Sequence, residues 1–331
     1  MQYWRKIVMR ESLERICEQF LQARDIIKKS LTMESGYMYP LCALAFVGAE
    51  MVPSEDVIKK NNELIKRNTG AFSGFRACAR PVIISLLSVA EQDRDAEGTF
   101  KNILGAYSAL KECFWDQGHL PFAAAIMAQI ALPSDFESVC ARVSQLYELM
   151  KKDHAVITSR DDIPFCVLLA EAELSCECIE AHAEECYRLL KPEFASHNSV
   201  QSLSHVLTLF EGEASEKCRR TLELFNTLKS RGLKYGKVIE LSTLGALATL
   251  PDQHKMIDDI AEVDAYLADQ DGYGGIFGFG KQQRLMHAGM IVISEHARTA
   301  IGSERSLYIR ARDIALCAGI NAVIWVMTNS N

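Results

Sequence analysis

A short, nearly all-apolar helix, a proline turn and a longer amphipathic helix recur along this chain. That cassette constrains the fold more than any other feature. Its clearest copy runs from Leu120 to Asp153, LPFAAAIMAQIALPSDFESVCARVSQLYELMKKD. Corresponding apolar segments span Pro40 to Met51, Pro81 to Glu91, Ile163 to Leu174, Val200 to Gly212, Val238 to Leu250 and Gln283 to Ser294. Their starts are about 40 residues apart, the period of stacked helical hairpins. An independent mark agrees. An apolar residue, Pro, then Ser or Asp recurs at Val52-Pro53-Ser54, Leu132-Pro133-Ser134 and Leu250-Pro251-Asp252. Proline cannot continue the first helix, and the Ser or Asp after it is a ready N-cap for the next. Ser134 and Glu137 are spaced as a capping box.

The apolar segments are rich in Ala, Gly, Ser and Cys on most faces, so they predict inner helices buried on nearly all sides. The second helices carry polar stripes and face water. No strand pattern of any length appears. The expectation is an all-α protein of about seven stacked helical hairpins, either an open α/α superhelix or a closed α/α toroid. No linker divides it. A single domain over 1–331 is expected, with an N-terminal helix in 1–32 (Trp4 to Leu31), hairpins over 39–296 and a capping helix at 304–328.

Composition narrows the partners. A net charge of −7 and interleaved charges argue against a nucleic-acid face. Eleven scattered cysteines in 331 residues read as reduced thiols, which points to the cytoplasm. The N-terminus lacks the apolar stretch of a signal peptide. The longest apolar run, Ile314 to Met327, is short for a bilayer and contains Asn321. It predicts a buried or capping helix, with a homodimer contact as its alternative, and no membrane span.

Chemistry could reside in three segments. In Ser159-Arg160-Asp161-Asp162-Ile163-Pro164, Asp161 or Asp162 would cap the following helix. The sharper reading is a carboxylate pair tuned by Arg160. In the second, Asn198, Gln201, Ser202 and His205 share one face of a helix, a polar stripe that needs partners. In the third, Gly275 to Lys281 fits the opening of a phosphate loop, but Gln282 stands where Ser or Thr should hold magnesium. There Lys281, Arg284 and His287 could meet an anion at a helix N-terminus, or Phe277 and Phe279 could plug the stack. Cys178, His182 and Cys186 recur every fourth residue, but the outer pair is about 12 Å apart on a helix, too far for one zinc. No metal or cofactor is expected.

The segments SRDDIPFCVLL, NSVQSLSHVL and GFGKQQRLMHAGMIV together resemble an uncharacterised bacterial family of all-helical cytosolic proteins, known only as a domain of unknown function. The resemblance covers nearly the whole chain and implies no activity. The function stays open between two expectations. One is a scaffold that binds a protein or peptide partner along a concave surface. The other is an enzyme or small-ligand receptor with a polar cleft built from Arg160, Asp161, Asp162, Asn198, Gln201, His205, Lys281, Arg284 and His287.

Overall fold

The structure, a computed structural model, describes residues 9–32, 34–91, 95–115, 118–274 and 278–329. Among these are fifteen α-helices and no strand. One set is amphipathic: α1 (Glu11–Ser30), α3 (Glu55–Asn68), α5 (Ala96–Cys113), α7 (Phe136–Asp153), α9 (Cys176–Leu190), α11 (Ala214–Ser230) and α13 (Gln253–Ala268). The alternating set is α2 (Met38–Gly48), α4 (Arg80–Ala90), α6 (Leu120–Ile130), α8 (Ile163–Ala170), α10 (His197–Thr208), α12 (Leu241–Ala248) and α14 (Lys281–Thr299). The last helix is α15 (Gly302–Asn329).

Burial follows the predicted pattern. All of α12 is buried, and so is Leu120 through Met127 of α6, whereas α3 buries only Ile58, Asn61, Leu64 and Ile65. Proline sits in the first turn of α4, α6 and α8. There its missing N–H costs nothing and its fixed φ suits the helix. The buried apolar residues form one contiguous cluster from Leu13 to Ile324.

The pairing of helices is offset by half a unit from the cassette seen in sequence. Most amphipathic helices pack most closely on the apolar helix that follows: α1 on α2, α5 on α6, α7 on α8, α13 on α14; α11 instead packs most closely on α9. The proline turns therefore join one pair to the next. Proline was the easiest mark to read, and it marks the boundary between units. Beyond these pairs, α2 packs on α14, and α1 packs on both α13 and α14.

Two local expectations change. The capping box predicted at Ser134 is absent, because Pro133–Asp135 forms a 3-10 turn and α7 begins at Phe136 with no side-chain cap. Asp252 does cap α13, accepting from the Lys255 amide at 3.3 Å. The N-terminal helix begins at Glu11, and residues 4–8 of its predicted span lie outside the described residues.

The final helix takes a place the repeat did not foresee. It runs beside the apolar helices, packing on α14, α12, α2 and, through fewer residues, α10. Gly319 allows the approach to α2; a Cβ there would lie 3.2 Å from Leu41 Cδ2. Arginines pin its first half: Arg310 donates to the Leu209 carbonyl at 2.9 Å and Arg312 to the Gly48 carbonyl at 2.9 Å. Asn321 pins the other end, donating to the Asp161 carbonyl at 2.7 Å. The segment Gly302–Thr328 is, by length and mean hydropathy of 1.3, long and apolar enough to cross a bilayer, and half of its most apolar window is buried against the rest of the chain.

Candidate functional site

Two of the three polar segments meet. Ser159 caps the turn before α8, and Asp162 returns the bond by accepting from the Ser159 amide at 2.9 Å. The capping box is real but belongs to Ser159; Asp161 and Asp162 sit inside the turn. Across the interface, His205 of α10 places Nδ1 3.5 Å from Asp162 Oδ1. Burial, then the Asp161 charge, raises Asp162 well above the usual carboxylate range; Arg160 is not among the causes. Burial, then His154, pushes His205 down to about 3. Both shifts oppose charge, so burial works against an ion pair between these two groups.

Around this pair the polar stripe of α10 finds protein partners. Gln201 Nε2 donates to Thr158 Oγ1 at 2.8 Å, and Thr158 donates onward to the Met150 carbonyl at 3.2 Å. Asn198 Nδ2 reaches Asp161 Oδ2 at 3.5 Å. His119 Nδ1 lies 3.3 Å from Asn321 Oδ1. The cavity between Asp161, Asn198, Ser202, Ser242, Asn321 and Trp325 measures about 40 Å³, room for a water or two. Beneath it, Asp162, Gln201 and His205 are 1–2% exposed.

The third segment stands apart. Arg284 makes a two-point bond to Asp264 of α13, at 2.8 and 3.0 Å. His287 faces Phe20, Tyr273 and Phe279, its Nδ1 2.9 Å from the Tyr273 hydroxyl. Burial, then Arg24, pushes His287 down to about 3. Lys281 is exposed. These residues fasten the loop before α14 to α1 and α13 and do not join Asp162 and His205. Phe279 does pack against Tyr273; Gly275 to Phe277 lie outside the described residues. On α9, Cys178 is exposed and Cys186 buried. Cys186 pairs instead with Cys218 of α11, whose thiol, opposed by burial and helped by His182, draws it down to about 6.

A larger space lies elsewhere. Between α15 and the helices α2, α4, α6 and α8 is a cavity of about 630 Å³. Leu44, Val82, Leu86, Phe122, Ile126, Leu168, Ile314 and Ile320 line it. Gln129, Glu171, Ser306 and Arg310, all exposed, form a polar rim. Its volume falls in the range of small-molecule pockets. One acid enters it. Asp313, held by Arg312 at 2.8 Å, keeps a side chain 57% accessible while lining the cavity. Burial raises its pKa, and Arg312 partly restores it. One turn on, the Cys317 thiol is pushed up to about 12, chiefly by burial.

A family model described as a protein of unknown function, DUF4003, matches residues 25–328. The chain belongs to the DUF4003 family. The resemblance carried by SRDDIPFCVLL, NSVQSLSHVL and GFGKQQRLMHAGMIV is thereby placed, since all three fall inside the match. A further relative is the uncharacterised protein YeaA of Bacillus subtilis strain 168, 24% identical over 268 residues, covering 77% of this chain and 78% of that protein. No solved structure matches the chain.

Two constellations in this DUF4003 chain escaped the sequence. Asp313 was hidden because it falls, with Arg310 and Arg312, in the predicted capping helix at 304–328 as one of several charged residues ahead of the apolar run. Asp259, Glu295 and His296 converge within 4.8 Å from two helices. The available signal was three buried-type ionisable residues on core helices, and only contact between α13 and α14 makes it a cluster.

Proposed function

We propose that this protein binds a small, elongated, mostly apolar molecule inside a closed α/α toroid, with α15 as one wall of the chamber. The cavity beside α15 carries the reading. About 630 Å³ bounded mainly by Leu, Ile, Val and Phe side chains is apolar surface left unfilled between helices, where a well-packed core would close it. Closure of the ring is supported by α2 on α14 and α1 on α13. An open superhelix would leave first and last pairs apart.

The scaffold expectation relied on a free concave surface. Here α15 already covers that side of α2, α12 and α14. The polar-cleft expectation relied on Asp162, His205 and Lys281 sharing one pocket, and the cavity at the polar cluster is about 40 Å³. A ligand for the larger chamber would place its apolar body between α4, α6 and α15. Its polar group would lie at Asp313 or at the rim. The hydrophobic effect supplies most of the affinity, and the carboxylate sets the orientation.

The test is direct. Full-length protein is titrated with dansyl-undecanoic acid and with the matching dansyl-alkylamine, and native mass spectra are recorded before and after denaturation. One saturable site, lost in Ala45→Trp and Leu86→Trp, is expected. Ala45 and Leu86 both line the chamber and are half-buried, so a larger ring has room to enter it. Absence of saturable binding to either probe, together with a native mass equal to that of the bare chain, would overturn the reading.

A further inference from the structure

At the seam where first and last helix pairs meet, three buried ligand-type side chains converge. Asp259 comes from α13, and Glu295 and His296 from α14; they are 5%, 2% and 6% exposed. His296 Nε2 lies 2.9 Å from Asp259 Oδ2 and 3.9 Å from Glu295 Oε2. From these residues we infer a divalent metal site, with His296 Nε2, one oxygen of Asp259 and Glu295 Oε2 as protein ligands.

The partners of these atoms argue for it. Ser12 donates to Glu295 Oε1 at 2.8 Å, which leaves Oε2 as the inward-facing atom. That oxygen is buried and has no hydrogen-bond partner. A carboxylate oxygen buried without a partner is costly, and proteins remove the cost with a hydrogen bond or a cation. Arg10 supplies half of what is needed. Its Nη2 is 2.6 Å from Asp259 Oδ2, but Nη1 stays 3.6 Å from Glu295 Oε1. Three residues along α13, Glu262 carries a second buried carboxylate oxygen without a partner. The seam thus holds more anionic oxygen than one guanidinium satisfies.

One imidazole with two or three carboxylates, and no thiolate, is a donor set for manganese, iron(II) or zinc. Three protein ligands leave coordination positions open, as in catalytic rather than structural sites. Arg10 stands at the N-cap of α1 with its side chain 41% accessible, so it can turn outward when a cation arrives. Arg10 and the metal therefore compete for Asp259.

That competition gives the test its sign. Full-length protein is stripped with EDTA, dialysed, and titrated calorimetrically with zinc chloride and, separately, manganese chloride. Cobalt(II) absorption serves as the spectroscopic readout. One equivalent of at least one cation should bind. Glu295→Gln with His296→Gln should weaken it by more than roughly a hundredfold, beyond what loss of a supporting group alone costs. Arg10→Met should tighten it by about tenfold. If the double variant fails to fold, Arg10→Met still decides, because a purely structural ion pair predicts a less stable protein with no gain in affinity. Binding below about a tenth of an equivalent in both wild type and Arg10→Met would overturn the site, given the affinities such sites normally have. A cobalt spectrum dominated by thiolate charge transfer would do the same, by moving the ion to the cysteines.

Discussion

The polar cluster around Asp162 and His205 and the chamber beside Asp313 invert each other. The first has the residues of an active site and no room; its cavity is about 40 Å³. The second has room, about 630 Å³, and almost no chemistry beyond one acid and a polar rim. Most polar groups in the cluster hold the loop before α8 to α10, through Gln201 on Thr158 and Asn198 on Asp161. The chamber's apolar walls are what a ligand needs. Side-chain polarity and ligand access are separate properties in this molecule, and the four predictions that follow set one region against the other.

The largest expected effect is at the shut end. Asp162→Ala leaves a gap at a fully buried site beside His205 and removes the acceptor of the Ser159 amide, one half of the Ser159 capping box. A buried gap and a broken cap together cost roughly 2–4 kcal/mol. Thermal or urea denaturation should show that loss. A fall in stability of less than roughly 1 kcal/mol would mean that the pair is not structural and would reopen a catalytic role.

Acid should probe the same end next. His205 is neutral in the folded protein with its pKa near 3, against an ordinary 6.5. A depressed histidine binds its proton mainly after unfolding, so its contribution is present above pH 6.5 and is lost as pH falls toward 3. Between pH 7 and pH 5 the loss is about 2 kcal/mol for one such histidine. His287, also near 3, adds a second contribution of the same sign. Asp162, raised, acts oppositely: it favours the fold below the ordinary carboxylate pKa and loses that as pH rises through its folded value. Melting curves of wild type and His205→Asn across this range should differ in slope. Parallel slopes would show that His205 titrates in the fold as it does in the unfolded chain, without the depressed pKa.

Much of this architecture was legible in sequence, and what was not has physical reasons. Fifteen helices and the largely apolar character of α6, α8 and α12 follow from periodicity and proline. Which neighbour each helix prefers does not, because an apolar helix such as α6 offers the same surface to α5 and α7. The place of α15 was hidden for the same reason: apart from Asn321, Ile314 to Met327 is apolar on nearly every side, and that pattern suits a cap, a dimer contact or a buried position among the other apolar helices. The stripe Asn198, Gln201 and His205 was visible; that Thr158 and Asp161 would satisfy it depends on a loop more than 35 residues away. A cavity is an absence of atoms between elements, and no residue pattern records it.

In the open region, filling should change binding far more than stability. Ala45→Trp puts an indole into existing space. It should shift stability by less than about 1.5 kcal/mol, since no neighbour has to move. It should also remove the saturable site for the dansyl probe. A large loss of stability would mean that the chamber closes in solution.

The smallest effect belongs to Asp313, and it separates the two regions most sharply. Its raised pKa means that the folded state resists ionising it, so this carboxylate favours the fold below its ordinary pKa of 3.8 and loses that contribution as pH rises through the folded value. Asp313→Asn should therefore leave stability unchanged or raise it at neutral pH. The side chain is 57% accessible, so solvent screening limits the gain to about 0.5 kcal/mol. Asp162→Asn, at the shut end, puts an NH2 group into a fully buried site where one oxygen accepts from the Ser159 amide and no acceptor for the new donors is at hand, and should destabilise. The same substitution thus has opposite signs in the two places. For ligands, Asp313→Asn should weaken a dansyl-alkylamine about tenfold and leave the dansyl-acid unchanged or tighter, the effect of removing one charge of known sign. Equal loss for both probes would assign Asp313 to holding Arg312 and would pass the orienting role to the rim residues Glu171 and Arg310.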